Sequence, residues 1–304
     1  MNEAGFWDSI FNFDNYGDLL ALLHNSIIAG AVLGLVGGLI STFVLMRDLP
    51  FAVHGISELS FAGASAALLL GVSVVAGAMA GSVLAALIIG TLGSRARDRN
   101  SLIGVLMPFG LGLGVLFLSL YKGRASNKFG LLTGQIVAVD APQLGWLVGT
   151  SVVVLAVLLV IWRPLVFAST DRELAEARGV PVRALSPIFM LVLGLTVALA
   201  VQVIGALLVL SILVTPAAAA MRVTASPTRV WLLSMVFGFV SMVGGIMLAL
   251  GSYVPISPYV TTISFGIYVV CRVIGARRTR RGWTSVRARR RATTPAKGTA
   301  TNGP

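Results

Sequence analysis

Leu185–Met221 reads LSPIFMLVLGLTVALAVQVIGALLVLSILVTPAAAAM, a nearly unbroken apolar stretch. As a single helix it would be about 55 Å long, whereas the hydrocarbon core of a bilayer is about 30 Å thick. We therefore expect a break at Gln202–Gly205 and a second kink at Pro216. The stretch then forms either two spans or one span and a re-entrant piece.

The rest of the chain is apolar in the same way. Of its 304 residues, 57% are hydrophobic and 11% are charged, whereas a soluble domain carries about 25% charged residues. Long continuous apolar runs favour helices over a barrel, whose strands alternate apolar and polar residues. The sequence predicts an all-α, polytopic membrane helix bundle with eight or nine spans. The other predicted spans are about Leu19–Met46, Pro50–Leu70, Val72–Gly93, Leu102–Tyr121, Leu144–Trp162, Val230–Leu250 and Tyr259–Ile274.

The charges suggest three regions and an orientation. Residues 1–18 are acidic, residues 19–275 hold the spans, and residues 276–304 hold nine Lys and Arg with no acid, so most of the net charge of +12 lies in this tail. We expect the tail to be disordered and to touch anionic lipid, and we expect no nucleic-acid partner. Because basic loops stay inside, the C-terminus is predicted to be cytoplasmic in a multi-pass protein of the cytoplasmic membrane. The N-terminal segment is then extracytoplasmic if Leu185–Met221 crosses twice.

His54 and Glu58 are ionisable residues inside a predicted span. Four residues apart on a helix, they share a face with Cβ atoms roughly 6 Å apart. A charge in the bilayer costs about 3 kcal/mol and marks an ion or proton path by default. A carboxylate oxygen and an imidazole nitrogen are ligands for a divalent metal. Other spans, a second copy of the chain or water must complete such a site, and the alternatives are a proton relay or a purely structural pair.

A charged segment at about 163–184 contains the sequence Thr170–Gly179. Thr170 and Glu173 have capping-box spacing, Asp171 adds a negative charge to the first turn, and Gly179 suits the helix end. The pattern predicts a short cytoplasmic helix between two spans. It either docks a partner or lies on the surface without one.

Other polar residues are interpreted more simply. We interpret Asp140 as a solvated turn residue on the outer side. For Gln202 and Thr215 we expect hydrogen bonds between helices, with the lining of a path as the alternative. The chain lacks the Gly-x-x-x-x-Gly-Lys-[Ser/Thr] phosphate loop and any nucleophile–base arrangement, so we expect no enzymatic activity and no permanently bound cofactor.

Several of these motifs together resemble the membrane subunit of bacterial zinc/manganese ABC importers. The resemblance rests on Val180-Pro-Val-Arg183, on the Val-Gln-Val-Ile-Gly and Thr-Pro-Ala-Ala sequences within 195–218, and on Phe51–Gly63 and Phe129–Val139. It extends from about the first span to residue 275. The basic tail lies outside it.

The resemblance implies a homodimeric permease with the path at the subunit interface. Separate ATPase subunits would dock on the helix that contains Asp171, Glu173 and Gly179. An extracytoplasmic metal-binding protein would deliver zinc or manganese, with iron next. The family pattern Gly-Asp-x-x-Ser-His is reversed here, because His54 stands at the Asp position and Glu58 at the His position. We interpret this as a retained cation site, and an altered metal or cargo is the alternative.

Two other functions fit the same residues. A proton-coupled secondary transporter would use Glu58 as the titrating group and need no ATPase. A non-transporting membrane scaffold would recruit a partner through its basic tail.

Overall fold

The computed structural model describes residues 23–92, 96–123, 131, 139–250 and 255–293, and every regular element within them is helical. The helices are α1 His24–Met46, α2 Pro50–Leu70, α3 Val74–Leu92, α4 Ala96–Leu120, α5 Ala141–Thr170, α6 Arg172–Ala177, α7 Val182–Ile204, α8 Val209–Leu213, α9 Thr215–Val223, α10 Pro227–Ala249 and α11 Ile256–Thr293. Eight of these helices are long and apolar enough to cross a membrane, namely α1 to α5, α7, α10 and α11. The predicted all-α membrane bundle is thereby confirmed. The 1–18 segment and most of Phe129–Val139 lie outside the described residues.

The two ends of the bundle differ in charge. Arg47 follows α1, and its guanidinium carbon lies 5.1 Å from the ring centre of Phe189 in the second turn of α7. The short helix α6 lies at this same end, which we call the basic end. We call the opposite end, which carries Leu68, Asp140 and Gln202, the far end. The helices α1, α2, α7 and α10 run between them, and α7 contributes more residues to the core than any other helix.

The predicted break occurs where the sequence places it. The helix α7 ends at Ile204, and Gly205 follows with φ 81°, a value that suits glycine. A 3₁₀ turn, α8 and α9 then lead to α10, which begins at the basic end. Since α7 ends at the far end, the segment 205–226 returns across the bundle as short helical pieces, and Pro216 lies in the first turn of α9.

Serine hydroxyls replace hydrogen bonds that this broken segment loses. Ser257 donates to the carbonyl of Ile204 at 3.0 Å, and Ser264, two turns later on α11, donates to the carbonyl of Ser211 at 2.9 Å. At the start of α9 the backbone N–H of Ala217 donates to the Ser41 hydroxyl at 3.1 Å. The break is therefore compatible with an apolar surrounding, in which unpaired backbone groups are costly.

The helices α1 and α10 cross at backbone contact through small residues. A Cβ atom added at Gly34 would lie 2.7 Å from the carbonyl oxygen of Gly238, and one added at Gly38 would overlap the carbonyl oxygen of Ser234. The Ser41 and Ser234 hydroxyls lie 3.0 Å apart at this crossing. Gly34 and Gly38 thus serve close helix packing within one bundle.

Two helices are longer than predicted. The helix α5 continues past Trp162 through Arg163 and Pro164 to Thr170. The helix α11 continues through Thr293, where the sequence predicts a disordered tail from residue 276. Residues 294–304 lie outside the described part of the chain.

Gly34→Ala should destabilise the protein, because the new methyl group would push α1 away from α10. Overpacking of this kind costs about 1–3 kcal/mol. Thermal unfolding of the purified protein in detergent measures the effect. Gly112→Ala on α4 is the control, since nothing lies within 4 Å of that position. Equal melting temperatures for the two variants would contradict the close crossing.

Candidate metal site and surface helix

The side chains of His54 and Glu58 lie next to each other on one face of α2. The His54 Nε2 and Glu58 Oε1 atoms are 3.7 Å apart, and the side chains are 28% and 4% exposed. Glu58 lies eight residues inward from Pro50, or about 12 Å along the helix. The i,i+4 geometry predicted from the sequence is therefore present, with the carboxylate buried and the imidazole partly accessible.

Each partner retains an unused polar atom. His54 Nδ1 and Glu58 Oε2 are buried and have no hydrogen-bond partner among the described residues. The Ser57 hydroxyl donates to the backbone carbonyl of His54 at 2.8 Å. It therefore does not provide the missing partner for the His54 imidazole or the Glu58 carboxylate. Buried polar atoms without partners are uncommon in proteins and cost about 1–3 kcal/mol each. A cation would provide such a partner.

The helix α4 packs directly against the acidic residue. A Cβ atom added at Gly110 would lie 3.0 Å from the carbonyl carbon of Glu58 and 2.7 Å from Leu59 Cδ1. Residue 110 therefore has to lack a side chain for α4 to lie this close to α2. The sequence alone does not predict that Gly110 lies against Glu58, because that contact depends on which helix packs opposite Glu58.

One chain supplies only part of a metal site. In the described residues no group of three or more His, Cys, Asp and Glu side chains lies close enough to hold a metal ion. One nitrogen and the carboxylate oxygens of α2 can bind a cation, and its other ligands must come from elsewhere.

The surface helix α6 forms, with a different N-cap from the predicted one. Asp171 is the N-cap, and its carboxylate accepts from the Leu174 N–H at 2.9 Å. The predicted capping box is wrong, because the Thr170 hydroxyl donates to the Val166 carbonyl at the end of α5. Glu173 lies exposed in the first turn.

The end of α6 matches the prediction for Gly179. Gly179 has φ 80°, the N–H of Val180 donates to the Ala175 carbonyl, and the N–H of Gly179 donates to the Glu176 carbonyl. This pattern is a Schellman motif. Leu174 is 46% exposed on the same short helix, so α6 presents an apolar side chain between well-fixed ends.

Arg47 lies close to two other arginines, one of them at the start of α6. Burial, together with the guanidinium groups of Arg99 and Arg172, lowers the pKa of Arg47 to about 10. It therefore stays protonated at neutral pH. Its Nη1 atom is buried without a hydrogen-bond partner in the described part of the chain. The sequence marked Arg47 only as the end of a span, since its neighbours come from α4 and α6.

Comparisons with known proteins identify the fold and the family. Residues 20–275 match the ABC 3 transport family. The manganese transport system membrane protein MntC of Halalkalibacterium halodurans is 28% identical over 246 residues, which cover 81% of this chain and 82% of that protein. The manganese import system permease protein ScaB of Streptococcus parasanguinis is 29% identical over 74% of this chain and 81% of its own length.

A solved structure has the same architecture. PsaBC from Streptococcus pneumoniae, determined in complex with Fab, superposes with a TM-score of 0.75 at 26% identity. The match covers 84% of this chain and 93% of that chain. The helical bundle is therefore shared over nearly the whole membrane region.

Asp171→Ala should loosen α6, whereas Asp171→Asn should leave it intact, because asparagine can also accept the Leu174 N–H. Loss of an N-cap costs about 1 kcal/mol. Hydrogen exchange of residues 172–177, measured by mass spectrometry, should therefore accelerate about fivefold in the alanine variant alone. Equal exchange in both variants would contradict the capping role.

Proposed function

Because the chain belongs to the ABC 3 transport family, we propose that it is the permease subunit of an importer that moves a divalent transition metal through the membrane. The relatives are named for manganese, so manganese is the first candidate, followed by zinc and then iron. The observation that carries the proposal is the pair His54–Glu58 within α2, whose Nδ1 and Oε2 atoms are buried and lack partners among the described residues. This pair contacts the ion during transit.

Two copies of the chain form the complete permease. Each copy contributes one imidazole and one carboxylate, and the described residues of one copy hold no third acidic, histidine or cysteine ligand nearby. Pairing of two copies around a shared path brings more donors to the ion. The subunits alternate between outward-open and inward-open states as the ion passes.

The basic end faces the cytoplasm. Arg47 follows α1, Arg99 lies at the start of α4 and Arg229 lies at the start of α10, and basic residues next to spans stay on the cytoplasmic side. The far end then faces outward and receives metal from a solute-binding protein. The helix α6 faces separate ATPase subunits. ATP binding is assigned to those subunits, since this chain's sequence has no phosphate loop.

Metal accumulation in a deletion strain tests the site. His54→Ala/Glu58→Ala should reduce manganese uptake at least tenfold relative to the wild-type chain, because the ion loses both ligands. His54→Asp/Glu58→His, which restores the order typical of the family, should retain uptake. Cellular manganese, zinc and iron are measured together by mass spectrometry.

Ser57→Ala is the matched control for this experiment, since it lies between the two ligands and leaves both side chains in place. Normal uptake of every metal by the double alanine variant would overturn the site. Uptake that persists without the ATPase and stops with a protonophore would support the proton-coupled alternative instead.

The exposed side chain of Leu174 tests the docking of α6. Leu174→Asp should reduce metal-dependent ATP hydrolysis by the assembled complex about tenfold, because a charge replaces an apolar contact with the ATPase. Leu174→Met keeps the contact and should retain activity. Unchanged hydrolysis in the aspartate variant would exclude α6 as the docking helix.

A further inference from the structure

A cavity of about 430 Å³ opens at the far end of the bundle, between the ends of α2, α3, α5 and α7. Much of its lining is apolar, and four polar side chains also line it, namely Ser73, Asp140, Gln143 and Gln202. Six water molecules occupy about 180 Å³ at about 30 Å³ each. The cavity therefore has room for a divalent cation with its first hydration shell.

Asp140 supplies the negative charge of the cavity. It is the N-cap residue of α5 and has an extended backbone, yet its side chain makes no capping hydrogen bond. Asparagine and aspartate normally use that position to accept a backbone N–H of the first turn. Asp140 is exposed and lines the cavity, and the first turn of α5 does not use its carboxylate.

Gln202 supplies an amide that the surrounding helices do not use. The sequence predicts a hydrogen bond between helices for this residue, but its Nε2 atom is buried without a partner among the described residues. Gln202 also lines the cavity, and a carboxamide has an oxygen that can accept a hydrogen bond from a water or bind a cation. The Gln143 amide offers the same choice from the first turn of α5.

The helix α2 carries the His54–Glu58 pair and, closer to the far end, two residues that line the cavity. Ala64 and Leu68, which line it, follow Glu58 on α2 by about 9 and 15 Å of helix rise. Gln202 lies in the last turn of α7, just before the break at Gly205. Measured along α2, the cavity is therefore nearer the far end of the bundle than His54 and Glu58 are.

The cavity and the His54–Glu58 pair offer different ligand atoms to a metal ion. The cavity offers carboxylate, amide and hydroxyl oxygens, a set that suits manganese, magnesium and calcium with several waters retained. The inner pair offers an imidazole nitrogen as well, which suits transition metals. A single carboxylate at the cavity also makes binding weak enough for onward release.

We propose that Asp140, Gln143 and Gln202 form an outer receiving site that holds a hydrated manganese ion before it moves inward to His54 and Glu58. This proposal rests on the proposed metal-import function. The site takes the ion as an oxygen-coordinated, partly hydrated species. The inner pair then replaces water with a nitrogen ligand.

Trp146 provides a direct measurement, because its ring lines the same cavity and is 62% exposed. Paramagnetic Mn²⁺ quenches the fluorescence of a nearby indole. The full chain is placed in phosphatidylcholine nanodiscs, whose neutral headgroups do not concentrate the cation, and titrated with MnCl₂. The difference between the wild-type chain and Trp146→Phe isolates the signal of this residue from the other tryptophans.

The proposal predicts saturable quenching of Trp146 in the wild-type chain. Asp140→Asn should raise the Kd for manganese at least tenfold, Gln202→Leu should raise it severalfold, and the lining control Leu68→Ala should leave it unchanged. Glu58→Gln should also leave it unchanged, because Glu58 lies deeper. Quenching that is linear in Mn²⁺, or that is identical in Asp140→Asn and the wild-type chain, would overturn the receiving site.

Cellular uptake separates this proposal from the proposed function. Asp140→Asn should raise the manganese concentration for half-maximal uptake about tenfold and retain the maximal rate. A wild-type chain that imports manganese normally alongside an Asp140→Asn variant with identical kinetics would reject the receiving site alone. Saturable Trp146 quenching in a chain that imports no metal would support the outer site and reject the import function.

Discussion

The backbone between α7 and α10 has to keep its N–H and C=O groups hydrogen-bonded although it does not form one continuous helix. Unpaired peptide groups cost several kcal/mol in an apolar surrounding. The hydroxyls of Ser41, Ser257 and Ser264 provide the missing partners from α1 and α11. With these hydrogen bonds, a stretch too long for one span folds into the full helix α7 and a series of short helical pieces in 205–226. The same bonds require α1 and α11 to pack beside those short pieces.

Much of the fold follows from the sequence because lipid allows few solutions. The span Pro50–Leu70 and the break near Gly205 match the structure at those residues, since each depends on local composition, length and glycine. The N-cap of α6 was misplaced by one residue because the Thr170 hydroxyl has a competing carbonyl in the preceding helix. The helix α5 is longer than the predicted span, because the apolar pattern marks the part that a bilayer would cover and not the residue at which the helix ends.

Some features of the candidate site also follow from the sequence, whereas others depend on how the helices pack. The proximity of His54 to Glu58 follows from helix periodicity, and the structure gives the expected contact. The close approach of Gly110, the surroundings of Arg47 and the unused amide of Gln202 depend on how separate helices pack. A single sequence holds no direct record of those neighbours, so these features could be found only once the bundle was assembled.

The helix α5 joins two regions that otherwise lie at opposite ends of the protein. Asp140 precedes its first residue, and Asp171 follows its last and caps α6. One side of the helix is exposed, for example at Val152, Leu159 and Val160, whereas Leu147, Val154 and Leu165 on the other side are buried in the core. A single rigid helix about 45 Å long therefore holds the far-end carboxylate and the capped surface helix at a fixed separation.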